Sequence, residues 1–370
     1  MWNSVVRRSA LVIFTLLLPS SLLGQRYHRT DLTVDVQAVS PSAPTVDSNL
    51  VNAWGLTRGS GSFWWVSDNG TGVSTLYNGA GVASPPPPAQ PLVVKIPTPD
   101  GTGTSAPTGT VFNPTAGFLV KPGAKAIFLF VTEDGTIAGW NPTVDLHNAV
   151  TLKNRAGKAV YKGCAIAQLN GSPAFYATDF VSGRVEVFDS SFNQLDLDDD
   201  AFRFPGLGGN WSAFNIQNVG GNLIVTFARR APGSLNEDHG AGLGFVGVFD
   251  PSGRLLFRLQ HGDWFNAPWG VAAASGDFGM FTHRLLIGNF GDGTIHAFNL
   301  FTGKHEGMMI DDTTGKALVI DGLWAISFGG NAPNNGSATS LFFTAGPNDE
   351  ANGLFGQLTA NAAEQPGNSQ

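Results

Sequence analysis

Carboxylate, amide and basic side chains recur in this sequence beside short apolar runs, and they are the residue types that could bind a ligand. The candidate ligand-binding residues are Asn52, Asp68, Glu133, Asp179, Arg229, His239, Asn266, Asn289 and Asp321. Several converging carboxylates would suit Ca²⁺ or another divalent cation, and the metal candidates are Glu133, Asp179 and Asp292. The alternative for each residue is that it caps a tight turn through hydrogen bonds to the backbone.

Motifs for nucleophilic catalysis and for nucleotide binding are missing from the sequence. There is no Gly-x-Ser-x-Gly elbow, no His-Glu-x-x-His, no phosphate-binding loop and no dinucleotide fingerprint, and the seven His are dispersed. A serine or cysteine hydrolase is therefore poorly supported. Catalytic residues remain unknown, because side chains can converge across a fold without a local motif.

Composition excludes other classes of protein. The 370 residues include 48 Gly and only 13% charged residues, which is typical of a turn-dense β protein, and the net charge of −7 argues against a nucleic-acid partner. The single cysteine, Cys164, rules out an internal disulfide or a site built from several cysteines, so packing must hold the fold together.

Two short sequence patterns, each recurring once in nearly every repeat, identify the elements that must position the candidate residues. Aligned copies of each pattern are called a column below. In the first, a short strand ends in an aromatic residue followed by Asn or Asp, at Tyr77-Asn78, Trp140-Asn141, Phe188-Asp189, Phe249-Asp250 and Phe298-Asn299. In the second, upstream of the strands, short segments are centred on Gly55, Gly109, Gly163, Phe214, Gly270 and Trp324, which lie 51 to 56 residues apart. A more apolar run lies between the two columns of each copy.

Six such units of four short strands predict an all-β fold, a six-bladed β-propeller in a single domain spanning about residues 25–360. The predicted blades are about 50–97, 107–152, 161–205, 211–260, 266–312 and 320–360. The last unit lacks a fourth strand, while a spare β-patterned segment occurs at 31–39. We expect that segment to complete the last blade and close the ring, which removes open sheet edges.

Ligand sites of propellers usually form on the face where loops lead into the innermost strands and leave the second strands. The candidate residues above fall in these loops. The loop at 229–244 is longer than a hairpin needs, so it is either a lid or recognition loop, with contacts from Glu237, Asp238 and His239, or a simple insertion.

The first 24 residues have the layout of a secretory signal peptide: Arg7 and Arg8, then a short apolar run, then a small residue at Gly24. We expect an exported protein, periplasmic or extracellular, without a membrane anchor and with a flexible polar tail at 361–370. Sec and twin-arginine export both remain open.

Several motifs resemble a family of exported bacterial conserved-hypothetical propellers, some of which carry C-terminal sorting tails. The resemblance rests on the segments 49–56, 128–142, 213–217, 287–295 and 320–326. More distantly, the repeats are similar to NHL and gluconolactonase-type propellers, and that resemblance implies a channel-bound divalent cation that serves lactone hydrolysis.

These observations leave three functions open. The first is a binding or interaction scaffold whose small-molecule or protein ligand sits on the channel-mouth face. The alternative is a divalent-cation-dependent hydrolase of lactonase type that uses the rim carboxylates. The third is a structural role in the cell envelope through exposed aromatic residues. The sequence determines neither the ligand nor the oligomeric state.

Overall fold

The fold is a ring of six antiparallel sheets around a central axis. The computed structural model describes residues 25–86, 89–208, 210–230, 233–274 and 276–361. The expected signal peptide and all of the expected tail except Asn361 lie outside the described residues. No helix within the described ranges is long and apolar enough to cross a membrane.

The strands follow one another around the ring, each blade being built outward from the axis. The first strands of the described residues are β1 (Arg26–Val34) and β2 (Thr45–Val46). Blade 1 contains β3 (Ala53–Thr57), β4 (Trp64–Asp68), β5 (Val73–Tyr77) and β6 (Val93–Lys95). Blade 2 contains β7 (Pro107–Phe112), β10 (Phe128–Thr132), β11 (Thr136–Trp140) and β12 (Val150–Asn154), with a separate hairpin of β8 (Leu119–Lys121) and β9 (Ala124–Lys125).

The next three blades repeat this order. Blade 3 contains β13 (Tyr161–Leu169), β14 (Ser172–Asp179), β15 (Arg184–Asp189) and β16 (Gln194–Leu195). Blade 4 contains β17 (Trp211–Val219), β18 (Asn222–Arg229), β19 (Phe245–Phe249) and β20 (Leu255–Arg258). Blade 5 contains β21 (Pro268–Ala273), β22 (Arg284–Asn289), β23 (Ile295–Asn299) and β24 (His305–Met308), with a short 3₁₀ turn at Gly279–Phe281. The two-residue β25 (Ile310–Asp311) pairs with β1.

Blade 6 is completed by the start of the chain, as the repeat pattern predicts. It contains β26 (Leu323–Phe328), β27 (Ser340–Ala345) and β28 (Leu354–Ala360), and β1 pairs antiparallel with β28 from Tyr27 opposite Ala360 to Val34 opposite Leu354. The closing strand is thus 26–34, several residues earlier than the expected 31–39. It ends there because Asp35 turns away and its carboxylate accepts hydrogen bonds from Gly353 N and Asn352 Nδ2.

The glycine column marks the places where inner strands approach one another around the axis. A Cβ on Gly55 would overlap the carbonyl oxygen of Thr108 in the next blade. A Cβ on Gly109 would lie 2.8 Å from Cys164 N, again in the next blade. Only glycine allows this approach, which explains the spacing of about one blade between these glycines.

The core lies between neighbouring blades rather than at the centre of one sheet. The buried aromatic and aliphatic side chains of the described residues form six clusters. Five of them join two adjacent blades, as Tyr176 of blade 3 and Phe249 of blade 4 illustrate, and the sixth also gathers side chains around the axis, among them Trp54, Trp269 and Trp324. Each sheet therefore buries its apolar faces against the next, and closure of the ring leaves no blade without a partner. Cys164 is buried in one of these clusters.

Candidate functional site

An aromatic floor closes the central channel near the face at which the inner strands begin. Trp54 of β3 and Trp324 of β26 stack with ring centres 3.6 Å apart, and Phe290 stacks on Trp324 at 3.9 Å. Trp269 of β21 meets both indoles edge-on, at 6.1 and 5.8 Å. Below this floor the channel narrows to a cavity of about 20 Å³, roughly the space of one water molecule. This cavity is too small for a ligand larger than water, and a wider opening of about 320 Å³ lies at the opposite end of the inner strands, beside Val271 and Phe328.

Asn52 fixes the orientation of the two stacked indoles. Its Oδ1 accepts hydrogen bonds from Trp54 Nε1 at 2.9 Å and from Trp324 Nε1 at 3.0 Å. Its Nδ2 then donates to Asn69 Oδ1 at 3.3 Å. Asn52 has φ of 49°, a left-handed conformation that asparagine tolerates better than most residues and that places its side chain over the floor.

Above the floor lies a buried lysine in an ion pair. Lys162 is 1% exposed, and its Nζ lies 2.6 Å from Glu133 Oε1, while Asn69 Nδ2 donates to Glu133 Oε2 at 3.0 Å. The Lys162 ammonium also lies 4.8 Å from the ring centre of Trp54 and 5.6 Å from that of Phe180. The carboxylate and the two aromatic faces together compensate for the loss of hydration.

The loop between β18 and β19 covers one side of the channel mouth. Asp238 pairs with the guanidinium of Arg229, whose Nε lies 2.9 Å from Oδ2, and Asp238 N donates to Arg229 O. Gly240 N donates to Asn266 Oδ1 at 2.7 Å, which attaches the loop to blade 5. These bonds hold Glu237 and His239 over the mouth, and the His239 ring lies edge-on to Phe290 at 5.2 Å.

Glu237 has an unsatisfied buried oxygen. Its side chain is 6% exposed; Oε1 lies 3.5 Å from His239 Nε2, and Oε2 has no hydrogen-bond partner among the described residues. Burial favours the neutral acid, but the hydrogen bond from His239 and the charge of Lys162 outweigh it and lower the pKa of Glu237. The hydrogen bond to Glu237 in turn raises the pKa of His239. Glu237 is thus an ionised acceptor whose Oε2 receives no hydrogen bond from the described part of the chain.

A second carboxyl reaches the same mouth from the turn between β27 and β28. Asn348, Asp349 and Glu350 have φ of 58°, 52° and 65°, three successive non-glycine residues in the left-handed region, where each such residue costs about 1–2 kcal/mol. Burial, followed by the charge of Glu237, raises the pKa of Glu350 to about 7. Backbone strain of this kind is typical of functional sites, where surrounding contacts maintain it.

The structure brings some predicted residues together and gives others turn roles. Asn52, Glu133 and His239 belong to the cluster at the mouth, and Arg229 anchors its loop. Asp179 accepts hydrogen bonds from Val160 N and Val181 N. Asp321 accepts from Asn348 N, which supports the left-handed turn.

Asn266 and Asn289 cap the loops of blade 5. Asn289 Oδ1 accepts from Asn266 N and its Nδ2 donates to Trp264 O, whereas Asn266 Oδ1 accepts from Gly240 N.

Asp68 is fully buried, and both its carboxyl oxygens lack a hydrogen-bond partner within the described part of the chain. Asp68 therefore lies inside blade 1 and has no surface exposed to a ligand at the mouth.

The three metal candidates have separate partners. Glu133 pairs with Lys162, Asp179 caps its own turn, and Asp292 Oδ1 accepts from Thr294 N and Thr294 Oγ1. Within the described ranges, no group of three or more His, Cys, Asp or Glu side chains is arranged to hold a metal ion.

Lys162 and Glu350 are the residues of this cluster that sequence reasoning missed. Lys162 precedes the central Gly163 of its repeat, a position where the other copies have Trp54, Thr108, Ala213, Trp269 and Leu323. A single charged residue at a position that is uncharged in the other five repeats could have identified Lys162 as a candidate site residue. Glu350 lies in the turn between β27 and β28, and nothing in the local sequence distinguishes it.

Comparisons with known proteins give relatives in a virus. "Uncharacterized protein R648" of Acanthamoeba polyphaga mimivirus is 30% identical over 332 residues, covering 85% of this chain and 76% of that protein. "Uncharacterized protein L690" of the same virus is 30% identical over 324 residues, covering 84% and 81%. These relatives are viral, so the expected membership of an exported bacterial family is not confirmed. No protein-family model matches the chain.

The solved structures that resemble this chain share its fold, and their low sequence identity shows nothing beyond the fold. A streptogramin B lyase superposes with a TM-score of 0.51 at 11% identity, covering 90% of this chain and 98% of that one. The soluble aldose sugar dehydrogenase of Escherichia coli, in its apo form, gives a TM-score of 0.53 at 12% identity, covering 90% and 100%. Identities this low carry the architecture and no activity.

Proposed function

We propose, from the premise that this chain belongs to the same family as the mimivirus proteins R648 and L690, that it is a propeller that binds a small ligand at its channel mouth. The single observation that carries the proposal is Glu237 Oε2, a buried carboxylate oxygen to which none of the described residues donates a hydrogen bond. A buried polar atom left unpaired costs about 1–3 kcal/mol, and more when it is charged. A ligand that donates a hydrogen bond to this oxygen would remove that cost.

The surroundings of Glu237 have the composition of a small-molecule site. Such sites combine aromatic surface with a few convergent polar groups. Here Phe290, half-buried and stacked on Trp324, offers the apolar surface, and Lys162, Glu133 and Glu350 offer the polar groups. The strained turn at 348–350 supports a role in binding, because folding stability alone does not require its left-handed conformation.

The alternative function, divalent-cation-dependent hydrolysis, has no specific observation in its favour. Glu133 is neutralised by Lys162, and Asp179 and Asp292 already accept hydrogen bonds within their turns. A role as a ligand-binding scaffold is therefore the better supported function. Export to the periplasm or the cell exterior remains an expectation from the sequence.

A panel of cationic, neutral and anionic small molecules, screened by thermal shift, tests the proposal. We expect at least one compound to raise the melting temperature, and tryptophan emission to change with the same dose dependence because Trp54 and Trp324 form the floor. The matched variants are Phe290→Ala at the mouth and Phe301→Ala, whose ring is 87% exposed on the outside of blade 5.

The hit should lose at least tenfold in affinity with Phe290→Ala and remain unchanged with Phe301→Ala. The unfolding curve of each variant is measured first, and Phe290→Leu replaces the alanine variant if the latter is not folded. Binding that is insensitive to residue 290, or a panel without any binder, would overturn the proposal.

A further inference from the structure

We propose that the ligand of the channel mouth is an organic cation: an ammonium or guanidinium group on an apolar body, whose N–H donates to Glu237 Oε2. This inference rests on the proposed function and specifies its ligand class. The head group would lie among the carboxylates, and the apolar body would lie against Phe290. An ammonium or guanidinium group brings both a donor and a positive charge to the free oxygen.

Charge complementarity at the mouth favours a cation over an anion. The acidic side chains around the mouth outnumber the basic ones: Glu133, Asp179, Glu237, Asp238, Asp292, Asp321, Asp349 and Glu350 against the permanently charged Lys162, Arg229 and Arg230, and against His239, whose pKa the hydrogen bond to Glu237 raises. Carboxylates that surround a cleft with low-dielectric walls concentrate cations there. An incoming cation would therefore be attracted before it makes any contact.

Each of the three basic side chains at the mouth already has an acceptor. Lys162 pairs with Glu133 and Arg229 with Asp238, while Arg230 Nη1 donates to Val181 O at 2.5 Å. Two of the three positive charges are thus already paired with a carboxylate, which weakens their attraction for an anionic ligand. By contrast, Glu237 Oε2 has no hydrogen bond from any of the described residues that a donor on a ligand would have to replace.

The state of Glu350 distinguishes a cation from a neutral donor. Burial and the charges of Glu237 and Glu133 hold its pKa at about 7, so near neutral pH a fraction of the molecules carry a proton there. A positive charge bound beside Glu237 favours the ionised form of Glu350 and expels that proton. A neutral hydroxyl could also donate to Glu237 Oε2, but it would leave the protonation of Glu350 nearly unchanged.

Isothermal titration calorimetry with three probes of the same shape tests the inference: benzylamine, benzyl alcohol and benzoate. We expect benzylamine to bind at least tenfold more tightly than the other two at pH 7. Titrations in two buffers of different ionisation enthalpy should show net proton release with benzylamine. Higher salt should weaken the benzylamine affinity because the attraction is electrostatic.

Glu237→Gln is the matched site variant, since it keeps the shape of the side chain and removes its charge. Glu306→Gln is the control, because Glu306 pairs with Arg284 on the outer strand of blade 5, away from the mouth. We expect at least a tenfold loss of benzylamine affinity in the first variant and no change in the second. Circular dichroism establishes that both variants are folded.

The outcomes separate this inference from the proposed function. Equal or tighter binding of benzyl alcohol or benzoate at the mouth, or benzylamine binding that survives Glu237→Gln, would overturn the cation inference and leave a ligand-binding mouth in place. Absence of benzylamine binding would also overturn it. The proposed function falls only if the wider panel yields no compound that depends on Phe290.

Discussion

Trp54 and Trp324, from the first and the last inner strand of the ring, stack face to face with ring centres 3.6 Å apart. Both indole N–H groups donate to the same oxygen, Asn52 Oδ1. The first and last blades are therefore joined at the axis by this stacked pair. Farther out, the pairing of β1 with β28 completes the last blade. The contact that closes the ring also forms the floor of the candidate site.

Asn52→Ala should destabilise the protein by about 2–4 kcal/mol, because two buried indole N–H groups lose their acceptor and alanine tolerates the left-handed backbone poorly. Urea unfolding measures the loss. Asn52→Gly separates the causes, since glycine relieves the backbone strain but restores no acceptor, and it should cost about 1 kcal/mol less. Wild-type stability in both variants would show that the shared acceptor contributes nothing.

Lys162→Met should lower the free energy of unfolding by about 2–3 kcal/mol, because it leaves Glu133 without its cation beside an apolar floor. Glu133 is 27% exposed on its side chain, which keeps the loss below that of a fully buried pair. Adding Glu133→Gln to Lys162→Met should recover part of the loss. A coupling energy near zero between Lys162 and Glu133 in this double-mutant cycle would show that their ion pair does not stabilise the fold.

Asp68→Asn should stabilise the protein more at pH 8 than at pH 4.5. Burial raises the pKa of Asp68 well above its usual range, so above about pH 4 the unfolded chain releases the proton and the folded chain retains it. The free energy of unfolding of the wild type therefore falls by up to about 1.4 kcal/mol per pH unit until the folded group ionises.

The asparagine variant stays neutral and avoids that penalty. Unfolding curves across this pH range provide the measurement, and the exposed Asp199→Asn provides the control for removal of one negative charge. A difference between wild type and Asp68→Asn that is the same at both pH values would disprove the buried neutral acid.

Gly55→Ala should cost about 2 kcal/mol or more, because the new methyl group would overlap the backbone of the neighbouring inner strand. Gly61→Ala is the matched control, since a Cβ there has no atom within 4 Å. Thermal unfolding compares the two. If both variants melt alike, the inner strands do not approach as closely as the structure places them.

Much of the architecture was predictable because its determinants are local. Strand ends such as Tyr77-Asn78 and Phe249-Asp250 carry their own turn chemistry, and the glycine column repeats at the length of one blade. These patterns specify six four-stranded units and the need for one more outer strand. The exact end of that strand was not predictable, since it depends on how Asp35 meets the turn at Gly353.

The sequence by itself thus determined a closed six-bladed ring, and it predicted the face on which we propose that a ligand binds. Only the tertiary structure decided which of those side chains meet, as Lys162 of blade 3 does with Glu133 of blade 2, and Gly240 of the blade 4 loop with Asn266 of blade 5. The reason is physical, because a blade is built from local hydrogen bonds and turns. Convergence at the axis depends instead on how separate blades pack, and no pattern within one repeat encodes that packing.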